Sequence, residues 1–332
     1  MSKKAIILIL IIVGILIGGI FIYQKLKEKP IVGEKKIYKI GVLQNTATLD
    51  IAYTGFKEKM EELGYEEGKN VSYEYFDTKG DLAASKEKAQ QFVQAGLDLI
   101  YVIGITPAKA AKDATLGTNM PVVFSVVSDP VGSGLVNSLQ TSGTNIAGVT
   151  PANQETSGKR VEFLKEVKPD LNRIIFPYND PITTGLDNLK RVAQNLGIEV
   201  VDKKVANIEE LDAFLNTFQF KKTDAILRSA DSVISAASVR LIELAKKNKI
   251  PISGTNISDV KNGALMIYGA NYELLGKQAA SIADKIFRGA NPASFPVEFP
   301  EKFELAVNKK TAEIIGLQFS SDFLAKVDLI VE

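Results

Sequence analysis

The stretch "DLIYVIGITPAKAAKDAT", residues 98–115, decides the fold of this chain. The apolar run Leu99–Ile105 is typical of a buried strand, and Thr106 with Pro107 then stands where a helix begins. A Thr N-cap followed by Pro at the first helical position leaves backbone N–H groups of the first turn without partners. The pattern predicts a strand that turns directly into a helix, whose open end could receive a carboxylate.

The same alternation of strand and helix runs outward in both directions. "TGFKEKMEELG", residues 54–64, and "GLDNLKRVAQNLG", residues 185–197, have apolar residues at helical spacing, and Gly64 and Gly197 would end those helices. Strand, helix and strand at this spacing predict parallel sheets covered on both faces. The predicted strands are Ile37–Leu43, Val71–Phe76, Leu99–Ile105, Val122–Val127, Ile174–Tyr178, Ile198–Val205, Ala225–Ser229 and Ala264–Ala270.

The alternation restarts near residue 150, which predicts two lobes. Residues 131–160 are rich in Gly, Ser, Thr and Asn, as expected of a loop between two α/β units. A further helix over residues 273–289 and a strand over residues 302–308 are predicted after the strand Ala264–Ala270. These late segments must complete sheets already formed, so we expect the chain to cross between the lobes more than once.

The composition favours a binding protein over an enzyme. The 332 residues include no His and no Cys, which excludes His-dependent triads, thiolate catalysis, disulfides and zinc sites of the usual kinds. No metal and no cofactor is predicted. The net charge of +1 gives no general attraction to nucleic acid.

The N-terminus has the composition of a membrane anchor. Residues 5–23 hold no charge and have about the length of a transmembrane helix, and lysines flank them on both sides. No small-residue cleavage site follows them. We therefore predict an uncleaved signal anchor over residues 1–29 and a single-pass protein of the cell membrane, with its soluble part on the extracytoplasmic face.

The loops after the predicted strands carry the candidate site, because ligands bind beyond the carboxyl ends of strands in such sheets. Asp231 and Asp129 are single carboxylates at these ends, suited to an ammonium group or sugar hydroxyls, and either could equally cap a helix or a turn. Tyr53, Tyr178 and Tyr272 could supply an aromatic wall or simply cover the core.

The chain from Ile37 onward resembles the ABC-transporter substrate-binding proteins of the tryptophan/tyrosine-binding type, which have the type I periplasmic-binding-protein fold. The segments that carry the resemblance include "GFKEKMEELGYEEGKNVSYEY", "TPAKAAKDAT", "PVVFSVVSDPVGSGLV", "GTNIAGVTP" and "VKNGALMIYGANYELLGKQAA". The resemblance implies two doubly wound parallel-sheet lobes joined by three crossovers, a small ligand held between them, and delivery to an ABC permease and its ATPase. The lobes would be residues 37–149 with 271–298, and residues 150–270 with 299–332.

The resemblance also implies which residues face the ligand. Those positions are Gln44, Asn45, Thr46, Thr106, Pro107, Ser125, Asp129, Tyr178, Asn179, Asp231, Asn271 and Tyr272. We expect an amino acid with its ammonium on Asp231 and its carboxylate at the helix start, and the resemblance implies an aromatic one. Where the better-known members have a longer loop with a Glu-x-Asn-Ser-like segment, this chain has "YNDPITTGL".

Two other functions are compatible with the same fold. A ligand-sensing ectodomain would signal through a partner membrane protein, since only four residues precede the apolar run. An enzyme would need reactive groups that this chain does not place at strand ends. Hinge closure on a ligand serves transport and sensing equally.

Overall fold

The structure is a computed structural model, and it describes residues 36–179 and 185–332. The membrane span predicted over residues 5–23, and the anchor over residues 1–29, lie outside the described residues. Among the helices that are described, none combines the length and the apolar character needed to cross a bilayer.

Two separate sheets form the core of the described chain. The first sheet has the order β2-β1-β3-β4-β5, and all of its neighbouring strands are parallel. Its strands are β1 (Tyr38–Gln44), β2 (Val71–Asp77), β3 (Leu99–Ile103), β4 (Val122–Ser125) and β5 (Ile146–Val149). We call this sheet, with the helices packed on it, lobe 1.

The second sheet has the order β12-β11-β10-β9-β8-β6-β7. Its strands are β6 (Arg173–Tyr178), β7 (Glu199–Lys204), β8 (Asp224–Leu227), β9 (Ile252–Ser253), β10 (Met266–Ala270), β11 (Phe303–Asn308) and β12 (Leu329–Val331). All neighbours are parallel except β10 and β11, which run antiparallel. We call this sheet and its helices lobe 2.

Helices cover both faces of each sheet. They are α1 (Asp50–Glu62), α2 (Leu82–Gln94), α3 (Ile105–Thr115), α4 (Asn153–Val167), α5 (Leu186–Asn195), α6 (Ile208–Thr217), α7 (Ser232–Ala236), α8 (Ser238–Asn248), α9 (Ile257–Lys261), α10 (Tyr272–Phe287), α11 (Lys309–Ile315) and α12 (Ser321–Leu324). On the first sheet, buried Phe56 and Leu275 lie in one apolar cluster, and Phe92 and Ala111 lie in the cluster of the opposite face.

The late helix α10 returns to lobe 1, although it follows a strand of lobe 2. Gly55 of α1 and Gly276 of α10 lie where the two helices touch, and a Cβ atom on Gly276 would overlap the carbonyl oxygen of Ala52. Such close backbone contact requires glycine. The chain therefore passes from lobe 1 to lobe 2, returns with α10 and ends in lobe 2, as expected from the late segments. The exact lobe boundaries stay a prediction.

Two of the segments that join the lobes run side by side. A parallel bridge pairs Val149 with Glu298, and the N–H of Thr150 donates to the carbonyl of Glu298 at 3.0 Å. Bending at this paired connection would change the distance between the two lobes.

Most predicted elements are present, with corrections at their ends. Gly64 and Gly197 have positive φ just after α1 and α5, as expected. Residues 131–160 are not all loop, because they contain β5 and the start of α4. The strand predicted over Val122–Val127 ends at Ser125, since Val126 adopts φ +59° and leaves the extended conformation.

Candidate functional site

A cavity of about 330 Å³ lies between the carboxyl ends of the two sheets. Residues after β1, β3 and β4 form the wall from lobe 1, and residues after β6, β8 and β9 form the wall from lobe 2. Asn153 and Tyr272, the first residues of α4 and α10, also line it. The cavity is therefore placed where an α/β sheet gathers its ligand-binding loops.

The cavity brings together only part of the predicted site. The predicted residues that line it are Asn45, Thr46, Asn179, Asp231 and Tyr272. Gln44, Thr106, Pro107, Ser125, Asp129, Tyr178 and Asn271 do not line it. Tyr53 also lies elsewhere, stacked on Tyr75 with 5.2 Å between ring centroids, so Tyr272 alone represents the expected aromatic wall.

Gln44 and Ser125 are buried inside lobe 1. The Gln44 amide Nε2 donates to the carbonyl of Thr46 at 2.9 Å. The Ser125 hydroxyl lies 2.7 Å from the hydroxyl of Tyr101. Both side chains thus support the loops at the strand ends and do not contact the cavity.

Three other predicted residues serve their own loops and helices. Asn271 caps α10 by accepting from the N–H of Glu273 at 2.9 Å. Asp129 accepts from the N–H of Gly132 at 2.7 Å and lines a different cavity, of about 300 Å³. Tyr178 packs against the lobe 2 core.

The start of α3 differs from the sequence prediction. The N-cap is Gly104, with φ +96° and ψ 167°, and the helix begins at Ile105. Thr106 is therefore not the N-cap, and Pro107 is the third helical residue. Glycine adopts this backbone conformation without strain, so the chain turns directly after β3. Pro107 is still tolerated, because the first turn of a helix needs no N–H donor there.

The first turn of α3 nevertheless has free donors. In the described chain, the N–H groups of Ile105 and Thr106 have no hydrogen-bond partner. Pro107 has no N–H, and the N–H of Ala108 donates to the carbonyl of Gly104 at 3.3 Å. Gly104 and Ile105 line the cavity, so the positive end of the helix lies at its wall.

Asn45 lies against this helix start. It is 7% exposed and lines the cavity, and its buried Oδ1 has no hydrogen-bond partner. A Cβ atom on Gly104 would lie 2.9 Å from the Cβ of Asn45. The absence of a side chain at Gly104 therefore gives Asn45 its place beside the α3 N-terminus.

Two further residues complete the wall from lobe 1. Val126 lines the cavity with φ +59°, a strained conformation for a β-branched residue and one that proteins tend to keep at functional sites. Lys109 of α3 is exposed, lines the cavity and has no ion-pair partner within the described chain. This wall thus presents backbone donors and one unpaired cation.

Asp231 is the carboxylate of the opposite wall. It is 7% exposed and accepts hydrogen bonds from the N–H of Ile234 at 2.9 Å, the N–H of Asn179 at 2.9 Å and the hydroxyl of Ser229 at 2.6 Å. All three donors are neutral, so these bonds leave its negative charge at the cavity wall. Asp231 caps α7 and faces the cavity at once.

A buried ion pair that also lines the cavity was not predicted from the sequence. Arg228 and Asp259 are 2% and 3% exposed, and the Arg228 Nη2 lies 2.7 Å from Asp259 Oδ2. Burial alone would raise the pKa of the Asp259 carboxyl, but Arg228, the Ser238 hydroxyl and the Thr255 N–H hold that pKa below its ordinary value. The pair is therefore ionised, and its two charges cancel.

A second arginine supports the same wall from α4. Arg160 is buried, and its Nη2 donates to the carbonyl of Arg228 at 2.6 Å while its Nε donates to the Ser253 hydroxyl at 3.2 Å. Burial lowers the pKa of Arg160 to about 9, so the side chain is still a cation at neutral pH. Burial also raises the pKa of the nearby Tyr272 hydroxyl, which keeps that hydroxyl neutral.

The chemistry of the cavity fits recognition of a small polar molecule. Within the part of the chain that the structure describes, no three acidic side chains are grouped so that they could hold a metal ion. The site offers free N–H donors on one side, a carboxylate on the other and several hydroxyl-bearing side chains among its lining residues. This combination suits a ligand that carries both a carboxylate and an ammonium group.

Comparison with known proteins places the chain in one family. The sequence model for "ABC transporter substrate binding protein" matches residues 39–330. A curated tyrosine-binding protein from Clostridioides difficile (strain R20291) is 29% identical to this chain over 289 residues, which make up 86% of this chain and 82% of that protein.

Solved structures share the same architecture. A conserved domain protein from Vibrio cholerae O1 biovar El Tor superposes with a TM-score of 0.80 at 29% identity, over 89% of this chain and 100% of that one. An ABC domain from Streptococcus pneumoniae in complex with L-Trp has a TM-score of 0.79 at 24% identity, with the same coverage. The latter likeness shows a shared fold.

Proposed function

This chain belongs to the ABC transporter substrate binding protein family, and we propose that it is the extracytoplasmic binding component of an importer and holds an amino acid between its two lobes. The family assignment confirms the resemblance drawn from the sequence, including the type I periplasmic-binding-protein fold. Proteins of this family bind small ligands and work with an ABC permease, so no catalytic residue is assigned.

One observation carries the amino-acid proposal: the cavity has opposite electrostatic character on its two walls. The open N-terminus of α3 and Lys109 lie on the wall from lobe 1, and Asp231 lies on the wall from lobe 2. A free amino acid carries complementary charges at the two ends of its backbone. We place its carboxylate at the free N–H of Ile105, at the start of α3, and its ammonium at Asp231.

This arrangement couples binding to closure of the lobes. A ligand that touches both walls makes all its contacts only when the lobes are close together. The ligand would therefore shift the hinge equilibrium by its difference in affinity between the closed and the open state. The paired connection of Val149 and Glu298 is the proposed hinge, and the closed lobes would then be recognised by the permease and its ATPase.

An aromatic amino acid is the narrower form of the proposal. A related protein is named for tyrosine binding, and a protein of the same fold was solved with L-Trp. The cavity has room for a side chain and includes the apolar side chains of Leu49, Ile105 and Val127. These features support an amino acid with a large side chain.

We further propose that residues 5–23 hold the protein in the membrane as an uncleaved anchor. The segment is uncharged and flanked by lysines, and the chain has no cysteine that could carry a lipid instead. In this arrangement lobe 1 comprises residues 37–149 with 271–298, and lobe 2 comprises residues 150–270 with 299–332. The packing of α10 on α1 supports that division.

A thermal-melt screen of the purified full-length protein tests the function. Ligands would be L-amino acids, short peptides, sugars and nucleosides. A ligand at a hundred times its dissociation constant adds about 2.7 kcal/mol to stability, which raises Tm by several degrees. A rise with an amino acid is the expected result. No rise with any amino acid, together with a rise for another class, would contradict the proposal.

A further inference from the structure

Arg228 determines whether two hydroxyl groups in the cavity act as hydrogen-bond donors or acceptors toward it. Ser235 of α7 and Thr255, which follows β9, both line the cavity. The Ser235 Oγ lies 2.8 Å from Nη1 of Arg228, and the Thr255 Oγ1 is hydrogen-bonded to Nη2. A guanidinium group has only donors. Both hydroxyl oxygens therefore act as acceptors in these bonds.

Arg228 itself has no donor left for a ligand. Its Nε and Nη2 donate to Oδ2 of Asp259 at 3.0 and 2.7 Å. Its Nη1 also donates to the carbonyl of Ser229 at 3.3 Å. With the bonds to Ser235 and Thr255, these contacts occupy the five N–H groups of the guanidinium. Arg228 is thus a positioning residue that orients the two hydroxyls.

The proton of Ser235 remains available to a ligand, whereas the proton of Thr255 is directed at the hydroxyl of Tyr272. Within the described residues, Ser235 has no other hydrogen-bond partner. Thr255 has the hydroxyl of Tyr272 beside it, and that hydroxyl also lies at the cavity. The wall from lobe 2 therefore presents O–H donors to the cavity. They lie next to the Arg228 guanidinium, whose position is fixed by its own hydrogen bonds.

The hydroxyl of Ser238 acts as a donor inside the protein, unlike that of Ser235, so the two serines can be compared directly. Ser238 also lines the cavity, but its hydroxyl donates to Oδ1 of Asp259 at 2.5 Å. The proton of Ser238 is used inside the protein, so this serine offers a ligand no donor.

We propose that Ser235 is a specificity-determining residue that donates a hydrogen bond to an oxygen on the ligand's side chain, and that Thr255 supports this subsite by positioning the adjacent Tyr272 hydroxyl. The inference rests on the proposed function and narrows it to an amino acid whose side chain bears an oxygen acceptor. The phenol oxygen of tyrosine meets this requirement, whereas phenylalanine has no polar atom and the tryptophan indole is only a donor.

The α-carboxylate of the ligand is the other oxygen that the Ser235 hydroxyl could meet, and the charge of the wall argues against it. Asp231 lies on the same wall, one helical turn before Ser235, whose N–H donates to the Asp231 carbonyl at 2.9 Å. A carboxylate beside Ser235 would face that negative charge, whereas the opposite wall offers Lys109 and free N–H groups.

Selection follows from the cost of unused donors. A ligand without an acceptor would displace water from Ser235 and leave its proton unpaired. Sites built around such a hydrogen bond reject analogues that lack the oxygen atom. The Ser235 hydroxyl therefore favours tyrosine over ligands of similar size that lack the oxygen acceptor.

Calorimetry on the purified full-length protein tests this inference. Dissociation constants for L-tyrosine, L-phenylalanine and L-tryptophan are measured with the wild type and with Ser235→Ala, Thr255→Val and Ser238→Ala. We expect the wild type to bind tyrosine at least about tenfold more tightly than phenylalanine, and Ser235→Ala or Thr255→Val to reduce this ratio by about tenfold. Ser238→Ala should leave the ratio unchanged.

Ser235→Thr and Thr255→Ser retain a hydroxyl and should retain the preference for tyrosine, which separates specificity from folding. The inference is overturned if the wild type binds phenylalanine as tightly as tyrosine. It is also overturned if Ser235→Ala weakens both ligands equally, and the proposed function survives either result. If no amino acid binds the wild type at all, the proposed function and this inference are both wrong.

Discussion

The wall that lobe 1 contributes to the cleft is made largely of backbone, whereas the wall from lobe 2 is made of side chains. On the first, the N–H groups of Ile105 and Thr106 are free and Val126 is held at φ +59°. On the second, the buried pair of Arg228 and Asp259 is hydrogen-bonded to the side chains of Ser235, Thr255 and Ser238.

The two walls illustrate two ways of building a binding site, one from backbone groups and one from side chains. Backbone N–H groups at a helix start can donate hydrogen bonds to any carboxylate. The wall from lobe 1 is therefore suited to the α-carboxylate that all amino acids share. A network of side chains fixes the direction of each hydroxyl, so the wall from lobe 2 can distinguish one side chain from another. We therefore propose that lobe 1 provides general recognition and lobe 2 provides specificity.

The largest effect is expected from breaking the network of lobe 2. Asp259→Ala leaves the buried Arg228 without its counter-charge, and removal of one partner of a buried ion pair costs about 3–5 kcal/mol. Urea unfolding followed by circular dichroism measures the loss. Asp113→Ala is the control, because Asp113 and Lys86 form an exposed pair of a kind worth at most about 1 kcal/mol. Equal losses in the two variants would show that the network is not a stabilising element.

Removing the carboxylate at the cavity should have the next largest effect, on binding. Asp231→Ala is expected to weaken the best amino-acid ligand by about 1.5–3 kcal/mol, the value of a hydrogen bond to a charged group. Calorimetric titration measures the change. Asp231→Asn can still cap α7 and should lose most of the same affinity, while Asp129→Ala should lose none. Affinity within about twofold of the wild type in Asp231→Ala would mean that the ammonium lies elsewhere.

A substitution at the start of α3 probes the wall from lobe 1. Gly104→Ala introduces a Cβ atom at φ +96° and 2.9 Å from the Cβ of Asn45. The backbone strain costs about 1–3 kcal/mol, and displacement of Asn45 should also weaken ligand binding. Gly117→Ala is the control, since Gly117 has φ +75° and no atom near its added Cβ. Both variants should lose stability and only Gly104→Ala should lose affinity; equal affinities would remove Asn45 from the account.

The smallest effect is expected from the exposed cation. Lys109→Gln should weaken binding by less than about 1 kcal/mol, because exposed charges are screened by water. The loss should diminish as salt is raised from 50 to 500 mM, and titrations at several salt concentrations measure it. A loss that does not depend on salt would indicate that Lys109 acts through packing and not through its charge.

The sequence predicted the fold well because its strands and helices are marked by local patterns. β5, β9 and β12 were missed, since strands such as Ile252–Ser253 are too short to show a period. The start of α3 was misplaced by two residues because Gly104 has no cap side chain to mark it. The antiparallel pairing of β10 and β11 likewise depends on tertiary context.

Only part of the candidate site was predicted, and the reason differs from that for the fold. Asn45, Asn179 and Asp231 follow strand ends, and the topology brings strand ends together. Arg228 and Asp259 were missed because they are 31 residues apart and nothing in either segment alone indicates the pair. The signal available was a basic residue, Arg228, near the end of the otherwise uncharged predicted strand Ala225–Ser229.

The most direct test of the central claim is calorimetric titration of the full-length protein with L-tyrosine and with two analogues that each lack one charge. Tyramine lacks the carboxylate, and 3-(4-hydroxyphenyl)propionate lacks the ammonium group. The account predicts that each analogue binds at least about tenfold more weakly than tyrosine, because each loses its contact with one wall. If either analogue bound as tightly as tyrosine, the ligand would not be held between two walls of opposite charge.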